Sequence, residues 1–313
     1  MPYLEHEEMN RRQFSMNVTA GILAAAMDTR LSPPHRMQPT GTEPADKNLR
    51  FKLSVMLWTV FRDLPFEQRL EKVAEAGYQN VELVGEYAKW SDDNFKRANA
   101  KRKELGIRFD TTAGLKHGVG NPDDRDAMLG DLREALVSME KIDCPSIILL
   151  SGEVVPRLTR EAQHQSCIDG LKAATKLVEG KQIAGEPVRL LLECIDLVEN
   201  PKYFLPSAAE GFDIVKAVNH AQVQFLYDLF HEQVGEGNLI EKLRKNIEYV
   251  GLIHVADVPG RHEPGTGEIN YPNIFRTLAE LRYDRVVAME FLPTSDPISK
   301  LIAARELALQ YGQ

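Results

Sequence analysis

After residue 50, the chain alternates between short apolar runs and longer amphipathic runs, and this alternation limits its possible folds more than any other feature. The apolar runs are rich in β-branched and aliphatic residues, which is typical of buried strands. The longer runs repeat apolar residues at helical spacing, as residues 66–74, 124–142 and 160–178 show. Eight apolar runs fit the strand description: 51–60, 80–84, 107–112, 146–150, 188–195, 223–229, 250–258 and 286–292.

Strands that are buried on both faces and joined by helices predict a parallel sheet. Eight such units that close on themselves form a (β/α)8 TIM barrel, and the roughly 260 residues from Phe51 onward match the usual size of that fold. A doubly wound open sheet is the alternative, but it normally carries a glycine-rich phosphate turn after its first strand. Residues 57–61 read LWTVF and offer no such turn. We therefore predict an α/β fold with one TIM barrel domain over residues 51–313.

Four polar residues each lie at the end of an otherwise apolar run. Burying an ionised side chain in such a place is costly unless the side chain is paired or bound to a metal. The four fall near the ends of predicted strands 5 to 8, and the C-terminal ends of barrel strands converge on one mouth. We therefore predict a single metal site, built from Glu193, Asp228, His254 and Glu290.

Three carboxylates and one imidazole form a hard, oxygen-rich ligand set. This set suits one divalent ion, Mn²⁺, Mg²⁺ or Co²⁺, better than a sulfur-preferring metal. The chain has 3 cysteines, which indicates neither a zinc-type cysteine pair nor a disulfide framework. Each residue taken singly has an ordinary explanation, since Glu193 could pair with a core arginine and His254 could be a hydrogen-bonded barrel histidine. The joint pattern favours the metal.

Further polar and aromatic residues near the strand ends are candidates for substrate binding. A polar loop over residues 257–271 follows the predicted seventh strand, and its glycines and prolines suit a shaped loop that can close over a ligand. An ordinary solvated connection is the alternative, although loops of this length are often functional. The predicted substrate-binding residues are His231, Arg261, His262, Glu199 and Trp58, the last of which simple packing would explain equally well.

Three segments carry a family resemblance: RHEPGTGEINYP (261–272), LYDLFHEQVGEGNL (226–239) and NPKYFL (200–205). They resemble the hydroxypyruvate isomerase family, one of the xylose-isomerase-like sugar isomerase and epimerase barrels. The similarity runs from SVMLWTVF (54–61) to MEFLP (289–293). The resemblance implies that Glu193 and Glu290 bind the metal and also act as the catalytic acid/base pair, while Asp228 and His254 complete the metal site.

Two positions depart from that family. Hydroxypyruvate isomerases often carry glutamine where His254 stands, whereas the related ketose 3-epimerases carry histidine within the same Glu–Asp–His–Glu set. After the last glutamate the isomerases often read Tyr-Lys-Pro, whereas this chain reads Phe291-Leu292-Pro293. The choice between isomerase and epimerase therefore stays open at this point.

The predicted site also predicts a type of reaction. A divalent ion that chelates adjacent carbonyl and hydroxyl oxygens stabilises an enediolate, and a carboxylate can remove the proton next to the carbonyl. Returning the proton to the neighbouring carbon is isomerisation, and returning it to the opposite face of the same carbon is epimerisation. We expect a small hydroxy-carbonyl or sugar substrate, and the resemblance implies hydroxypyruvate, which would give tartronate semialdehyde. Arg261 would hold the substrate carboxylate, and His231 would polarise an oxygen.

Charge and composition weigh against other functions. The 38 basic and 46 acidic residues give a net charge of −8, so a nucleic-acid partner is not expected. A metal-dependent phosphodiesterase of the endonuclease-like barrels would need more histidine and aspartate ligands, but the chain has 8 histidines in all. A non-catalytic sugar-binding barrel is a further alternative, although it does not need two carboxylates on one metal. Homo-oligomerisation stays open.

The N-terminus carries the pair Arg11-Arg12 ahead of a mildly apolar stretch, residues 14–27. This pattern predicts a twin-arginine-type export signal over residues 1–27, and hence a periplasmic protein. Acidic residues ahead of the arginines argue against a signal, in which case the protein would be cytoplasmic. The stretch is too short and too polar to span a membrane. Several prolines predict an unstructured linker over residues 28–50.

Overall fold

The computed structural model describes residues 49–313, and eight parallel strands form a closed barrel in this part of the chain. The strands are β1 (Lys52–Met56), β2 (Asn80–Val84), β3 (Arg108–Ala113), β4 (Ser146–Leu150), β5 (Arg189–Glu193), β6 (Val223–Asp228), β7 (Val250–Val255) and β8 (Val286–Met289). They follow each other around the barrel in sequence order, and β1 pairs with β8 to close it. The predicted TIM barrel is therefore confirmed, and the open doubly wound sheet is excluded.

Helices connect successive strands around the outside of the barrel. They are α1 (Phe66–Glu75), α2 (Asp92–Glu104), α3 (Arg125–Ile142), α4 (Arg160–Val178), α5 (Ala208–Val218), α6 (Leu229–Gly235), α7 (Leu239–Asn246), α8 (Tyr271–Glu280) and α9 (Pro297–Tyr311). The predicted helical runs correspond to α1, α3 and α4. A short antiparallel hairpin, Gln182–Ile183 with Glu186–Pro187, precedes β5.

Several strands are shorter than the apolar runs that predicted them. The run 51–60 contains β1 only as far as Met56, and a 3-10 turn, Leu57–Thr59, follows. The run 286–292 contains β8 only as far as Met289. Leu57 and Phe291 lie beyond these strand ends yet are 0% and 1% exposed, because the loops at the barrel mouth cover them. Apolar character therefore predicted burial correctly, but it did not separate a strand end from a buried turn.

Six apolar side chains, separate from the main core, fill the inside of the barrel: Met56, Ile148, Leu191, Leu226, Leu252 and Ala288. The last four lie two positions before a predicted metal ligand: Leu191 before Glu193, Leu226 before Asp228, Leu252 before His254 and Ala288 before Glu290. Side chains alternate across a strand, so residues two positions apart point the same way. The four polar side chains therefore point into the barrel at its C-terminal end.

The first strand and the last helix meet at the opposite end of the barrel. Gly312, which follows α9, packs so closely on Phe51 that a Cβ atom at this glycine would lie 2.7 Å from the phenyl ring. The same Cβ would lie 3.0 Å from Leu49. The two ends of the described chain are therefore in direct contact.

The predicted export signal, residues 1–27, and nearly all of the predicted linker, residues 28–50, lie outside the described residues. Between residues 49 and 313, every helix is too short or too polar to cross a membrane.

Candidate metal and active site

The four polar residues predicted to bind a metal lie together at the C-terminal mouth of the barrel. Glu193 is the last residue of β5, Asp228 is the last of β6, His254 is the last but one of β7, and Glu290 follows β8 directly. One ligand atom from each lies within 4.8 Å of the other three, and the side chains are all buried. Four potential donor atoms are thus close enough for one ion to bridge them.

His254 is held by a buried glutamate on the far side of its ring. Its Nε2 lies 2.9 Å from Oε2 of Glu82, which comes from β2 and is 0% exposed. A carboxylate on one ring nitrogen orients a histidine and leaves the other nitrogen for a metal. The free nitrogen, Nδ1, faces the carboxylates of the cluster. The orientation of the ring therefore fits metal binding.

The contact between His254 and Glu290 also fits a metal site. Nδ1 of His254 lies 2.7 Å from Oε2 of Glu290, yet neither atom has a hydrogen-bond partner of suitable geometry among the described residues. Two donor atoms that bind one ion at about 2.1 Å lie about 3 Å apart when they are at right angles around it. Two unpartnered donor atoms at close range are therefore what a shared ion would require.

The two glutamates of the cluster differ in their affinity for a proton. Burial, and next the negative charge of Glu290, raise the pKa of Glu193 to about 7. Burial would also raise the pKa of Glu290, but the charges of Arg261 and His254 outweigh it and hold that pKa well below its usual value. Carboxyl groups whose pKa values are pushed apart are a recurring feature of acid/base pairs.

Arg261 places a buried positive charge beside the cluster. Its Nη2 lies 2.7 Å from Oε2 of Glu290 and 3.4 Å from Oδ2 of Asp228. Its Nη1 lies 2.9 Å from Oε2 of Glu199 and 3.2 Å from Nε2 of His231. The structure thus brings three of the predicted substrate-binding residues, Arg261, Glu199 and His231, into one network that touches two of the predicted metal ligands.

His231 is positioned by Asp196, which lies in the turn after β5. Nδ1 of His231 is 2.6 Å from Oδ2 of Asp196. The other oxygen, Oδ1, accepts hydrogen bonds from the backbone N–H groups of Val198 and Glu199. Burial lowers the pKa of His231, but the nearby carboxylates of Asp228 and Asp196 outweigh it and raise that pKa. One buried carboxylate therefore sets both the imidazole and the turn that carries Glu199.

Aromatic side chains line the same network. Nε1 of Trp58, in the 3-10 turn after β1, donates a 2.7 Å hydrogen bond to Oε1 of Glu290. The guanidinium carbon of Arg261 lies 5.6 Å from the centre of the Trp58 ring and 5.0 Å from that of Phe230. Trp58 therefore contacts the predicted site directly, so its burial is more than general packing.

The loop between β7 and α8 is shaped by one buried side chain, Asp257. Its Oδ1 accepts hydrogen bonds from the backbone of Val258 and Ile269, and its Oδ2 accepts from Gly265 and Gly267. A Cβ atom at Gly267 would lie 2.0 Å from the Val258 carbonyl oxygen, so only glycine fits there. These bonds fix the loop conformation in which Arg261 points inward.

His262 is the predicted substrate-binding residue that the structure leaves outside the network. Its Nδ1 lies 2.7 Å from the carbonyl oxygen of Leu292, a contact that joins the β7–α8 loop to the segment after β8. The neighbouring Glu263 strengthens this joint through Thr294 and through Lys300, whose Nζ lies 2.8 Å away. The contact of His262 with a substrate stays a prediction.

Three acidic residues of this region were not predicted from the sequence: Glu82, Asp196 and Asp257. Glu82, in NVELV, carries the same signal as the four ligand candidates, a charged residue late in an apolar run. Asp196 and Asp257 follow apolar runs closely, but a polar residue after a strand is too common to indicate a role by itself.

The chain belongs to the xylose isomerase-like TIM barrel family, which matches residues 70–308. Among curated relatives, it is 28% identical to the 2-oxo-tetronate isomerase of Pectobacterium atrosepticum, over 77% of this chain and 92% of the relative. It is 30% identical to the putative hydroxypyruvate isomerase of Danio rerio, over 75% of this chain and 87% of the relative. The predicted resemblance to the hydroxypyruvate isomerases is confirmed, and the relatives support an isomerase.

Solved structures share the barrel. The structure titled AP endonuclease, family 2, from Brucella melitensis is 26% identical, with a TM-score of 0.71 over 81% of this chain and 96% of the other. D-psicose 3-epimerase from Clostridium cellulolyticum H10 is 21% identical, with a TM-score of 0.66 over 83% of this chain and 95% of the other. At that lower identity, the epimerase shows a common fold only.

Proposed function

We propose that this protein is a divalent-metal-dependent isomerase of a small 2-oxo-3-hydroxy acid, with hydroxypyruvate as the first candidate substrate. The observation that carries the proposal is the cluster of three carboxylates and one imidazole, whose ligand atoms lie within 4.8 Å of one another at the barrel mouth. The names of the two curated relatives support the substrate class, because 2-oxo-tetronate and hydroxypyruvate are both 2-oxo acids with a hydroxyl group on C3.

Glu193, Asp228, His254 and Glu290 would hold the ion, and their mainly oxygen donors favour Mn²⁺, Mg²⁺ or Co²⁺. When bound, the ion would supply Lewis-acid stabilisation of the negative charge that develops on the carbonyl oxygen.

The two glutamates would move the proton. One carboxylate removes a proton from C3 of hydroxypyruvate, and the C–H electron pair forms the C2–C3 double bond of the enediol while the C2 carbonyl oxygen gains a proton. Delivery of a proton to C2 and loss of the proton from the C3 hydroxyl then give the aldehyde, tartronate semialdehyde. Glu193 and Glu290 fit these acid and base roles because they share one cluster and differ in proton affinity.

The surrounding residues would orient the substrate. The guanidinium group of Arg261 is suited to a carboxylate, and His231 can hydrogen-bond an oxygen of the reacting carbons. Trp58 and Phe230 flank the guanidinium group and would keep water from that side of the site. Glu199 would act mainly by holding Arg261, to which it is bonded at 2.9 Å.

A ketose 3-epimerase is the second candidate, and His254 is the observation that favours it. This residue lies in the cluster where the resembled isomerases often carry glutamine. Epimerisation would use the same proton removal but return the proton to the opposite face of the same carbon. The endonuclease title of the Brucella structure raises a phosphodiesterase, but the net charge of −8 does not favour binding of DNA.

A metal-dependent assay in D₂O tests the proposal. Protein treated with EDTA should be inactive, and Mn²⁺, Mg²⁺ or Co²⁺ should restore turnover of hydroxypyruvate or 2-oxo-tetronate with deuterium at C2 of the product. Turnover of ketoses, with deuterium at C3 and inverted configuration, would favour the epimerase instead. Full activity in EDTA-treated protein would contradict the metal dependence, and inactivity on every substrate with every ion would favour a binding protein.

A further inference from the structure

Arg261 is bonded to the oxygens that the metal would use. Its Nη2 lies 2.7 Å from Oε2 of Glu290 and 3.4 Å from Oδ2 of Asp228, and both carboxylates belong to the ligand cluster. The arginine is 6% exposed, so water screens its charge only weakly. An oxygen lone pair directed at a guanidinium group is not free for an ion, and the two positive charges repel each other at this range.

We infer that Arg261 and the divalent ion compete for Glu290 and Asp228, so that Arg261 sets the metal affinity of the site and turns toward the substrate when the ion binds. This inference rests on the metal site of the proposed function. It adds a role for an arginine that would otherwise only hold the substrate.

The structure provides Arg261 with partners that are not metal-ligand candidates of the cluster. Nη1 lies 2.9 Å from Oε2 of Glu199, whose side chain is 42% exposed, and 3.2 Å from Nε2 of His231. The rings of Trp58 and Phe230 add a cation–π attraction that does not depend on the ligand oxygens. The guanidinium group can therefore release Glu290 and Asp228 and still keep most of its stabilising contacts.

The release of Arg261 has a consequence for the order of binding. The freed Nη2 would present positive charge beside the ion, where the carboxylate of a 2-oxo acid would lie. Binding of the ion would thereby strengthen binding of an anionic substrate, and linkage requires that the anion strengthen binding of the ion equally. A neutral ketose would not be favoured in this way.

Titration of EDTA-treated protein with Mn²⁺ by isothermal calorimetry tests the inference through affinity alone. Arg261→Met keeps much of the side-chain volume but removes the charge, and it should lower the Kd for Mn²⁺ about tenfold or more. Arg102→Met is the matched control, because Arg102 is equally buried at 6% exposure, pairs with Asp143 and lies over the Phe109 ring. The control should leave the Kd unchanged.

An unchanged or higher Kd in Arg261→Met would overturn the inference, because it would show that the arginine supports the ligands instead of competing for them. Failure of the wild-type protein to bind Mn²⁺ would be a different result, since it would overturn the proposed metal site itself.

A second variant protects the test if Arg261→Met is unstable. Glu199→Gln removes the carboxylate that draws Arg261 away from the ligands, so it should raise the Kd for Mn²⁺ several-fold. In a double-mutant cycle with Arg261→Met or Arg261→Gln, this effect should disappear, because Glu199 acts through the arginine. An equal effect of Glu199→Gln with and without Arg261 would overturn the inference.

Discussion

Removal of the negative charge of Glu82 should weaken metal binding although Glu82 is not itself a ligand. The carboxylate is 0% exposed and lies 2.9 Å from Nε2 of His254. A hydrogen bond to a charged group contributes about 1.5–3 kcal/mol, compared with about 0.5–1.5 kcal/mol for a neutral one. Glu82→Gln should therefore cost about 1 kcal/mol, or roughly fivefold in Kd. Glu82→Ala, which leaves Nε2 unpaired, should raise the Kd about 10–100-fold.

Calorimetric titration with Mn²⁺ would measure both variants, and circular dichroism would verify that they fold. Glu232→Gln is a suitable control, because Glu232 is also 0% exposed but pairs with Lys242, 2.6 Å away. The control should bind Mn²⁺ as the wild type does. Wild-type affinity in both Glu82 variants would refute the argument that this carboxylate positions His254.

Three further predictions follow from single residues or pairs. Glu290→Gln should lower kcat about 10²–10⁴-fold in the metal-loaded enzyme while the fold is kept, and undiminished turnover would remove Glu290 from proton transfer. Burial would raise the pKa of Glu263, but its bonds with Lys300 and Thr294 outweigh it and lower that pKa to about 2. The ion pair should therefore contribute about 2 kcal/mol of stability above the unfolded-state pKa of about 4.3, and this contribution should disappear as the pH falls toward 2. Urea unfolding should thus show a constant gap between wild type and Glu263→Gln from pH 7 to 5 that narrows below pH 4.5, and a gap independent of pH would contradict the assignment. If residues 1–27 direct export, Arg11→Lys/Arg12→Lys should accumulate inside the cell, and fractionation that shows no change would argue for a leader without a signal.

The barrel and the ligand cluster could both be predicted from the sequence because each leaves a local pattern. Alternation of apolar and amphipathic runs reflects burial of strands on both faces, and it gave the correct number and order of strands. Glu193 and Asp228 stand out because an ionised side chain in an apolar run is costly unless something compensates its charge. Parallel strands then bring such residues to the same end of the sheet, so proximity follows from topology alone.

The contacts around the cluster could not be predicted because they depend on closure of the ring and on loop geometry. Glu82 and His254 are 172 residues apart and lie on β2 and β7, which do not pair with each other. Only the closed barrel places them across its interior. Arg261 points inward from a left-handed backbone conformation, with φ of 57°, which Asp257 stabilises through several hydrogen bonds. A loop has no periodicity from which such a direction could be inferred.

The contact between Gly312 and Phe51 makes the described chain nearly a circle, since β1 also lies beside β8. A circle can be opened at any exposed connection without changing which strands are neighbours. The hairpin turn at Ala184 and Gly185 is such a connection, and it lies just before β5. A circular permutant that begins at Gly185 and joins Gln313 to Leu49 through a short linker would synthesise the entire ligand cluster first. Its ability to form the same barrel would show whether the order of synthesis matters to a ring whose ends already touch.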